Sequence, residues 1–517
     1  MNRLLQSVFN YHEQTKHSQQ RYARSLGYMD WSTQPDPFRS YNGVKEIELP
    51  LAMENITPPY HLLNSHLPAA PLVKESISQF LQFSMGLAAY KVAGENSWAV
   101  RCNASSGNLH PTETYLVLPP VLQENSSVVH YTPKNHRLEI LAEFETPLFK
   151  DLPEGSFLVG LSGISWREVW KYGERAFRYV NLDAGHAWQS LVVSAKLLGW
   201  KITRLDSVSD ADIEKVLGLN QEKRFFEKEC GDIMLVVSPQ RVNPSLNIES
   251  LVQNTPLVYE GIANKLSPSM QHWDIIPEIE KATSTQQIAQ KIVPLELVQN
   301  SPTLEAKEVI LKRRSIHVMD KESSNITKEQ FHILLKNVYH SLDGKENSAH
   351  LVLFVHRVEE YESGLYILIR NERDKKALQE QMHKGFEWKE MELGNLYRLE
   401  ERDLKMASKA ISCSQDIASD GAFSLGMLCN FSDQILNFGA HRYKELYWEC
   451  GAIGQQLYLD ATSMGLSGTG IGCFLDDTVH NLLGLKDNRF QTLYHFTVGR
   501  GYVDSRIQTR AAYEREE

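Results

Sequence analysis

The run from Arg101 to Pro111 concentrates side chains that can bind a polar ligand. It reads Arg-Cys-Asn-Ala-Ser-Ser-Gly-Asn-Leu-His-Pro and carries a guanidinium, hydroxyls, carboxamides and an imidazole. An apolar, strand-like run, Tyr115–Leu118, follows at once, so these donors stand at a fixed place beside a rigid element. The candidate ligand-binding residues of the run are Arg101, Ser105, Ser106, Asn108 and His110. On composition alone an ordinary turn is the alternative, since Ser, Asn and Gly are the usual turn residues.

The same run resembles the Ser-Ser-Gly-Asn-Leu-His-Pro signature of the nitroreductase-like flavoproteins. It is most similar to their SagB/ThcOx branch, which includes azoline oxidases of peptide natural-product pathways. The resemblance covers most of residues 60–510. It implies FMN as the cofactor, held at the interface between two domains, and hydride transfer at flavin N5.

A second set of candidates lies more than 200 residues further along the chain. Arg313-Arg314-Ser315 resembles the Arg-Arg-Ser near the start of nitroreductase domains, where Arg and Ser hold the flavin phosphate or ring. Arginine suits this role because its planar fork of donors matches phosphate and carbonyl oxygens. A basic pair on a solvated face is the alternative.

A Gly-rich run, Gly468-Thr469-Gly470-Ile471-Gly472, is predicted to be a loop whose backbone amides approach a ring closely. It lacks the Lys-Ser/Thr ending of a P-loop and the spacing of a dinucleotide-binding turn. The resemblance also implies flavin contacts for Gln415 and for a basic residue after the last strand. Arg500 and Arg506 are the candidates there, and the sequence does not distinguish Arg510 from them as a phosphate contact.

Lys171 and Tyr172 are the candidate catalytic residues. Azoline oxidases of the SagB/ThcOx branch carry a Lys-Tyr pair in a similar context, which implies a role in removing a proton from carbon during azoline oxidation. A lysine can serve as a base when burial or nearby cations lower its pKa, and Arg167, Arg175 and Arg178 are close in sequence. A Lys-Tyr pair on a helix face with no chemical role is the alternative.

The elements that must position these residues occur twice. Asp183–Gly199 resembles Glu449–Gly465, and self-similarity at a domain-sized period indicates duplication. The identical pairs at one constant spacing are Gly185/Gly451, Gln189/Gln455, Leu191/Leu457, Ala195/Ala461 and Gly199/Gly465. Both segments are predicted to be helices, the first apolar nearly all round and therefore buried. Asp183 and His186 at its start either bond the flavin or cap the helix.

Hydrophobic periodicity predicts the other elements. Strands are predicted at Tyr115–Leu118, Leu158–Gly160, Asp232–Val237, Leu351–Val355, Leu365–Ile369 and Leu493–Val498. Helices are predicted at Val73–Ala89, Ala187–Leu198, Thr327–Val338 and Thr478–Leu483.

The predicted fold class is α+β, with two tandem nitroreductase-like, FMN-dependent domains that form an intramolecular pseudo-dimer. The predicted boundaries are a helical lead-in at 1–58, half A at 59–250, a Pro-containing linker at 251–304 and half B at 305–517. Half A has the Ser-Ser-Gly-Asn run, whereas half B has the Arg-Arg-Ser and Gly-rich runs. Because the motifs are complementary, we expect one composite FMN site per chain and loss of the second, pseudo-equivalent site.

Composition excludes several classes of protein. A net charge of −10 argues against nucleic acid or an anionic membrane as the main partner. The 6 cysteines contain no CxxC pair and the 18 histidines no HExxH motif, so we expect no metal site, no disulfide framework and a reducing cytoplasm. No secretory signal and no apolar run long enough for a membrane span is found.

The predicted function is an FMN-dependent oxidoreductase with a small-molecule or peptide substrate, and a peptide azoline dehydrogenase is its most specific form. Two alternatives stay open. One is an NAD(P)H-dependent reductase of nitro compounds or quinones. The other is a degenerate flavin-binding scaffold, which the loss of motifs from each half would explain. Whether the pseudo-dimer is a monomer or dimerises further is also open.

Overall fold

The computed structural model describes residues 2–285, 304–339 and 347–513. Residues 286–303 of the predicted linker lie outside the described residues. The lead-in and half A contain, in chain order, α1 (Arg3–Gln14), β1 (Tyr41–Asn42), β2 (Lys45–Glu48), α2 (Lys74–Gln82), β3 (Leu87–Ala93), β4 (Asn96–Arg101), β5 (Thr112–Leu118), β6 (Ser126–Thr132), β7 (Arg137–Phe144), β8 (Phe157–Gly163), α3 (Ser165–Tyr172), α4 (Ala176–Leu197), β9 (Lys201–Arg204), α5 (Asp210–Leu217) and β10 (Cys230–Ser238).

The segment after half A contains α6 (Glu249–Asn254), β11 (Ile262–Ala263) and α7 (Ile275–Ala282). Half B contains α8 (Ala306–Lys312), α9 (Lys328–Asn337), β12 (Ala349–Val355), β13 (Gly364–Leu368), α10 (Glu372–Gln381), β14 (Lys389–Glu390), β15 (Leu396–Glu401), α11 (Lys405–Ile411), α12 (Ile417–Asp420), β16 (Phe423–Asn430), α13 (Ser432–Phe438), α14 (Arg442–Ser463), β17 (Ser467–Ile471), α15 (Asp476–Leu483), β18 (Phe490–Gly499) and β19 (Gln508–Ala511).

Each half is built around a seven-stranded sheet, and six of the seven strands follow the same chain order in both sheets. The strand orders are β2-β7-β6-β5-β8-β10-β9 and β14-β15-β13-β12-β16-β18-β17. In each sheet the edge strand that follows the long helix, β9 or β17, pairs antiparallel with the late strand β10 or β18. The common order of six strands agrees with the predicted duplication, and the mixed helices and sheets confirm the α+β class. The seventh strand differs, because β2 precedes the other strands of its sheet whereas β14 lies between β13 and β15.

The two repeated helices, α4 and α14, form the interface between the halves. Each is 22 residues long, and most side chains of both are buried. They cross at the repeated glycines: a Cβ on Gly185 would lie 2.2 Å from the carbonyl oxygen of Trp448, and a Cβ on Gly451 would lie 2.0 Å from that of Leu182. The sequence keeps glycine at both positions because any larger residue would force the helices apart.

Both ends of the chain cross to the other half. The last strand, β19, pairs with β3 in half A, and so joins a small sheet with β4. The first helix, α1, lies on half B, where His12 contacts Tyr443 and Gln491. Such an exchange of terminal segments ties the pseudo-dimer together.

Three predicted elements need correction. The helix predicted at Val73–Ala89 ends at Gln82, because the chain turns at Gly86 and Leu87 enters strand β3. The Gly-rich loop is mostly strand β17, and its glycines leave room for the aromatic rings of the neighbouring strand β18. The predicted helical lead-in contains helix α1 but also strand β2, which pairs with β7 at the edge of the first sheet.

The remaining predicted helices and strands fall within observed elements, apart from end residues such as Leu198 and Ile369. Among the described residues, no helix is both long and apolar enough to cross a membrane.

Candidate functional site

A buried carboxylate fixes the Ser-Ser-Gly-Asn loop. Asp183 accepts hydrogen bonds from Ser105 Oγ at 2.6 Å, Ser106 Oγ at 2.8 Å and Ser106 N at 2.9 Å. Burial raises the pKa of Asp183 to about 7, although these hydrogen bonds favour its ionised form. Asp183 lies inside α4, so it is not the cap of that helix. The hydroxyls of both serines therefore already have an acceptor within the protein.

The rest of the loop is held by local hydrogen bonds. Asn108 donates from Nδ2 to the Ala99 carbonyl at 2.9 Å, and its Oδ1 lies 3.0 Å from His110 Nε2. Asn108 and His110 have φ values of 60° and 50°, in the left-handed region that non-glycine residues rarely adopt. Backbone of this kind costs free energy and is concentrated at functional sites.

Side chains of half B form hydrogen bonds with the backbone of this loop. Arg313 donates to the carbonyl oxygens of Arg101 at 2.8 Å and Cys102 at 3.1 Å. Gln455 of α14 accepts from Ala104 N at 3.1 Å. The predicted motifs of the two halves therefore meet in space. Gln455 was missed as a site residue, although it is one of the identities of the internal repeat.

A tyrosine links the Arg-Arg-Ser segment to the Gly-rich strand. The hydroxyl of Tyr458 lies 2.8 Å from Ser315 Oγ and accepts from Gly470 N at 2.8 Å. Ser315 also forms a backbone bridge with Gly468. No sequence motif singled out Tyr458.

Lys171 and Tyr172 lie at the C-terminal end of α3 and face the loop. A Cβ on Gly107 would lie 2.8 Å from the Tyr172 hydroxyl and 3.0 Å from Lys171 Nζ. The ring of Tyr172 is 4.4 Å from that of Tyr179, whose hydroxyl donates to the Gly472 carbonyl at 3.1 Å. These contacts complete a ring of residues from both halves, which we call the composite site.

Not every predicted residue joins the composite site. The guanidinium of Arg101 bonds the Pro37 carbonyl and lies over the ring of Phe38, so it holds the lead-in. Arg500 is exposed, as is Arg506, which pairs with Asp504. Gln415 reaches the edge of the site by donating to the Cys473 carbonyl at 3.1 Å.

The arginines near Lys171 in sequence pair with buried carboxylates. Arg167 pairs with Glu113, and Arg175 and Arg178 both pair with Asp476. Arg175 and Arg178 share a single carboxylate, so Asp476 offsets only part of their positive charge.

Glu168 is the unexpected group beside Lys171. Both of its carboxylate oxygens are buried and have no hydrogen-bond partner among the described residues. Burial, together with the charge of Asp183, raises the pKa of Glu168 well above its usual value. The site thus contains a carboxyl group whose protonated form is favoured by burial. A lone Glu in a helix gives no sequence signal of this kind.

Arg313 and Arg314 have no carboxylate within salt-bridge distance in the described parts of the chain. Burial and the charge of Arg313 lower the pKa of Arg314 to about 10, and burial lowers that of Arg313. Arg314 Nε is buried and lacks a hydrogen-bond partner within the same ranges. Two adjacent, partly desolvated cations without a counter-ion favour binding of an anion.

The pseudo-equivalent position on the other side of the interface is lined by charged side chains. At the constant spacing of the repeat, Arg204 corresponds to Gly470 of the composite site, and Glu445 corresponds to Tyr179. Arg204 pairs with Glu445 at 2.8 Å and with Asp206 at 3.0 Å. Its guanidinium lies over the ring of Trp188 at 5.8 Å and over that of Trp448 at 5.6 Å. The symmetry of the fold is thus broken where a second ligand would bind.

Comparison with known proteins agrees with this architecture. Residues 310–500 match the sequence model of the Nitroreductase family. A protein of Methanocaldococcus jannaschii assigned as a nitroreductase is 24% identical over 161 residues, which is 30% of this chain and 78% of that protein.

The whole chain has the fold of a protein of Anabaena variabilis assigned as a nitroreductase. The two superimpose with a TM-score of 0.71 at 20% identity, over 96% of this chain and 99% of the other. The predicted tandem nitroreductase-like architecture is therefore confirmed at the level of the fold. In the described residues, no group of three or more His, Cys, Asp or Glu side chains could hold a metal ion.

Proposed function

We propose that this protein is an FMN-dependent oxidoreductase that transfers hydride at flavin N5 and holds one flavin per chain in the composite site. The observation that carries the proposal is the position of the Arg313–Arg314 pair. Arg313 of half B donates to two carbonyl oxygens at the start of the half A loop that bears the flavoprotein signature, and Arg314 is its neighbour in the chain.

The residues present fit the cofactor. Arg314 Nε is a buried donor without a partner among the described residues, and Arg313 lies beside it, so the pair suits the phosphate. Ser315 and Gln415 offer polar groups at the neighbouring strand, and the Ser105–Asn108 backbone offers more across the interface. When bound, the isoalloxazine would supply the redox chemistry, and the protein supplies orientation and electrostatics.

The protein's own side chains can move protons at this place. Lys171 Nζ and the Tyr172 hydroxyl both face Gly107 at the loop, and the buried Glu168 carboxyl lies one helical turn from Tyr172. In the proposed reaction Lys171 removes a proton from substrate carbon. Tyr172 and Glu168 hold the lysine in place and limit access of water.

The substrate we propose is an azoline ring in a peptide or small molecule, which is oxidised to the azole. The Lys-Tyr pair beside the loop favours this reading over the NAD(P)H-dependent reduction of nitro compounds or quinones. The ion pairs of Arg204 with Asp206 and Glu445 at the pseudo-equivalent position argue against two equivalent sites. These ion pairs give no reason to expect loss of both flavin sites, which the scaffold alternative requires.

Flavin content tests the proposal directly. We expect purified protein to be yellow and to release about one FMN per chain on denaturation. Two FMN per chain would show that the ion pairs of Arg204 do not block the second position. Protein that remains without flavin after incubation with excess FMN would contradict the proposed function and favour the scaffold alternative.

A further inference from the structure

Two cysteines meet beside the composite site. Cys473 follows the Gly-rich strand β17, and Cys413 lies in the turn after helix α11. Their sulfur atoms are 2.6 Å apart, whereas a disulfide bond measures about 2.05 Å. Both residues are half-exposed and their thiols are free. A small movement would therefore join residues that are 60 positions apart in the sequence.

The turn that carries Cys413 is already docked on the strand. Gln415 Nε2 donates to the Cys473 carbonyl at 3.1 Å and to the Ser412 carbonyl at 2.8 Å. Cys413 and Ser414 have φ values of 53° and 62°, an unusual conformation for two successive non-glycine residues. Such backbone persists when surrounding contacts hold it, so the close approach of the sulfurs is a property of the folded turn.

The surroundings favour a thiolate at Cys473. The hydrogen bond between the two thiols and the positive charge of Arg175 lower the pKa of Cys473, whereas burial and the charge of Asp476 raise it. Arg175 Nη2 also donates to the Gly472 carbonyl at 3.4 Å, next to the thiol. The Tyr22 hydroxyl lies beside Cys413. The thiolate is the form of cysteine that attacks disulfides.

We propose that Cys413 and Cys473 are a redox-modification site, oxidised to a reversible disulfide by low-molecular-weight disulfides. The Cys473 thiolate attacks one sulfur of the small disulfide, forms a mixed disulfide and releases one thiolate. Cys413 then gives its proton to water, attacks Cys473 Sγ and releases the second thiolate. The protein loses two electrons and two protons, and the small disulfide becomes two thiols.

The disulfide would pin the Gln415 turn to the strand that borders the composite site. Formation of this disulfide would thereby make the structure of the composite site depend on the redox state of the cell. The proposal goes beyond the proposed function and does not rest on it, because the thiol chemistry needs no flavin.

A thiol count on the full-length protein tests this site. After incubation with oxidised glutathione and denaturation, we expect a loss of two free thiols, fully reversed by dithiothreitol. A non-reduced digest should contain one cross-linked peptide pair, Cys413 with Cys473. The internal control is the pair Cys429 and Cys450, whose sulfurs are 3.6 Å apart but buried. An unchanged thiol count, or a cross-link between other cysteines, would overturn the proposal.

Single variants test the order of attack. Cys413→Ser should trap glutathione on Cys473, because the resolving thiol is absent, whereas Cys473→Ser should trap much less on Cys413. Cys230→Ser changes a half-exposed cysteine elsewhere and should oxidise like the wild type. Equal trapping in the first two variants would overturn the assignment of Cys473 as the attacking thiol. The digest of wild-type protein decides the site itself even where a variant fails to fold.

Discussion

Gly185 and Gly451 touch where helices α4 and α14 cross, and they are equivalent positions of the internal repeat. A Cβ on Gly451 would lie 3.0 Å from the Cα of Gly185. The crossing therefore lies on the pseudo-twofold axis that relates the halves. The composite site is built across this same interface, since Gln455 of α14 binds the backbone of the half A loop. The distance between α4 and α14 thus sets the distance between the half A and half B residues of the composite site.

Gly451→Ala should destabilise the protein by separating the halves. The added methyl group would meet the Leu182 carbonyl at 2.0 Å, and neither backbone can yield without moving a whole helix. Overpacking of this kind costs about 1–3 kcal/mol or more. A lower melting temperature and weaker flavin retention are expected. Gly385→Ala is the control, because a Cβ there meets nothing within 4 Å. Equal melting temperatures for the two variants would show that the crossing is not tightly packed.

Arg314→Ala and Ser105→Ala should both weaken FMN binding, although the two residues belong to different halves. The first removes a partly buried cation, and the second removes a hydrogen bond that ties the loop to Asp183. Loss of a charge-assisted hydrogen bond to phosphate typically costs about 1.5–3 kcal/mol, which is tenfold or more in Kd.

Fluorescence titration of flavin-free protein with FMN measures these constants. Lys312→Ala is the matched control for charge, since its ammonium is mostly exposed and pairs with Glu308. Arg506→Ala tests a residue predicted from the sequence but found in an exposed pair with Asp504. Both controls should bind FMN like the wild type. If only variants of one half lose affinity, the site is not shared.

Asp183→Asn should change how stability depends on pH. The folded protein holds the pKa of Asp183 at about 7, above its ordinary value of 3.8. The folded state therefore binds the extra proton, and this contribution is complete below pH 4 and is lost as the pH rises to 7. At 1.36 kcal/mol per pKa unit, the loss is at most about 4 kcal/mol.

Melting temperatures of wild type and variant, compared between pH 4.5 and 7.5, test this. The advantage of wild type over Asp183→Asn should shrink as the pH rises. Asp504→Asn is the control, because the pKa of Asp504 is lowered to about 2 and that group stays ionised throughout the range. A constant difference for Asp183→Asn would mean that its carboxylate is ionised over the whole interval.

The sequence predicted the duplication and the complementary motifs because both rest on local patterns. Repeated glycines at Gly185 and Gly451 mark a helix crossing, and a signature loop keeps its residues together. The groups that complete the site were missed for a physical reason. Tyr458 and Glu168 owe their roles to burial and to neighbours distant in sequence, which a linear pattern does not encode. The predicted extension of a helix to Ala89 was wrong for the same reason, because pairing of strand β3 with β4 overrides the local apolar periodicity.

Lys171→Ala should spare FMN binding and slow substrate oxidation. Lys171 Nζ faces the loop at Gly107 but makes no hydrogen bond that ties the two halves together among the described residues. A positioned general base contributes about 10²–10⁴-fold to the rate, so a loss of that size in kcat is expected. Lys171→Arg should not restore the rate, because arginine stays protonated at neutral pH. Stopped-flow measurement of flavin reduction by azoline-containing peptides, with oxygen as final acceptor, gives the rate.

Wild type and Lys171→Ala also distinguish azoline oxidation from NAD(P)H-dependent reduction of nitro compounds or quinones. Nitroaromatics and quinones are offered with NADH or NADPH, and flavin content is measured to confirm that both proteins are loaded. Under the proposed function, wild type oxidises azolines and the variant does not. If both proteins reduce nitroaromatics equally and neither oxidises azolines, Lys171 is structural and the protein is an NAD(P)H-dependent reductase. Lys171 would then serve to close the site beside Tyr172, over whose ring its ammonium lies at 5.3 Å.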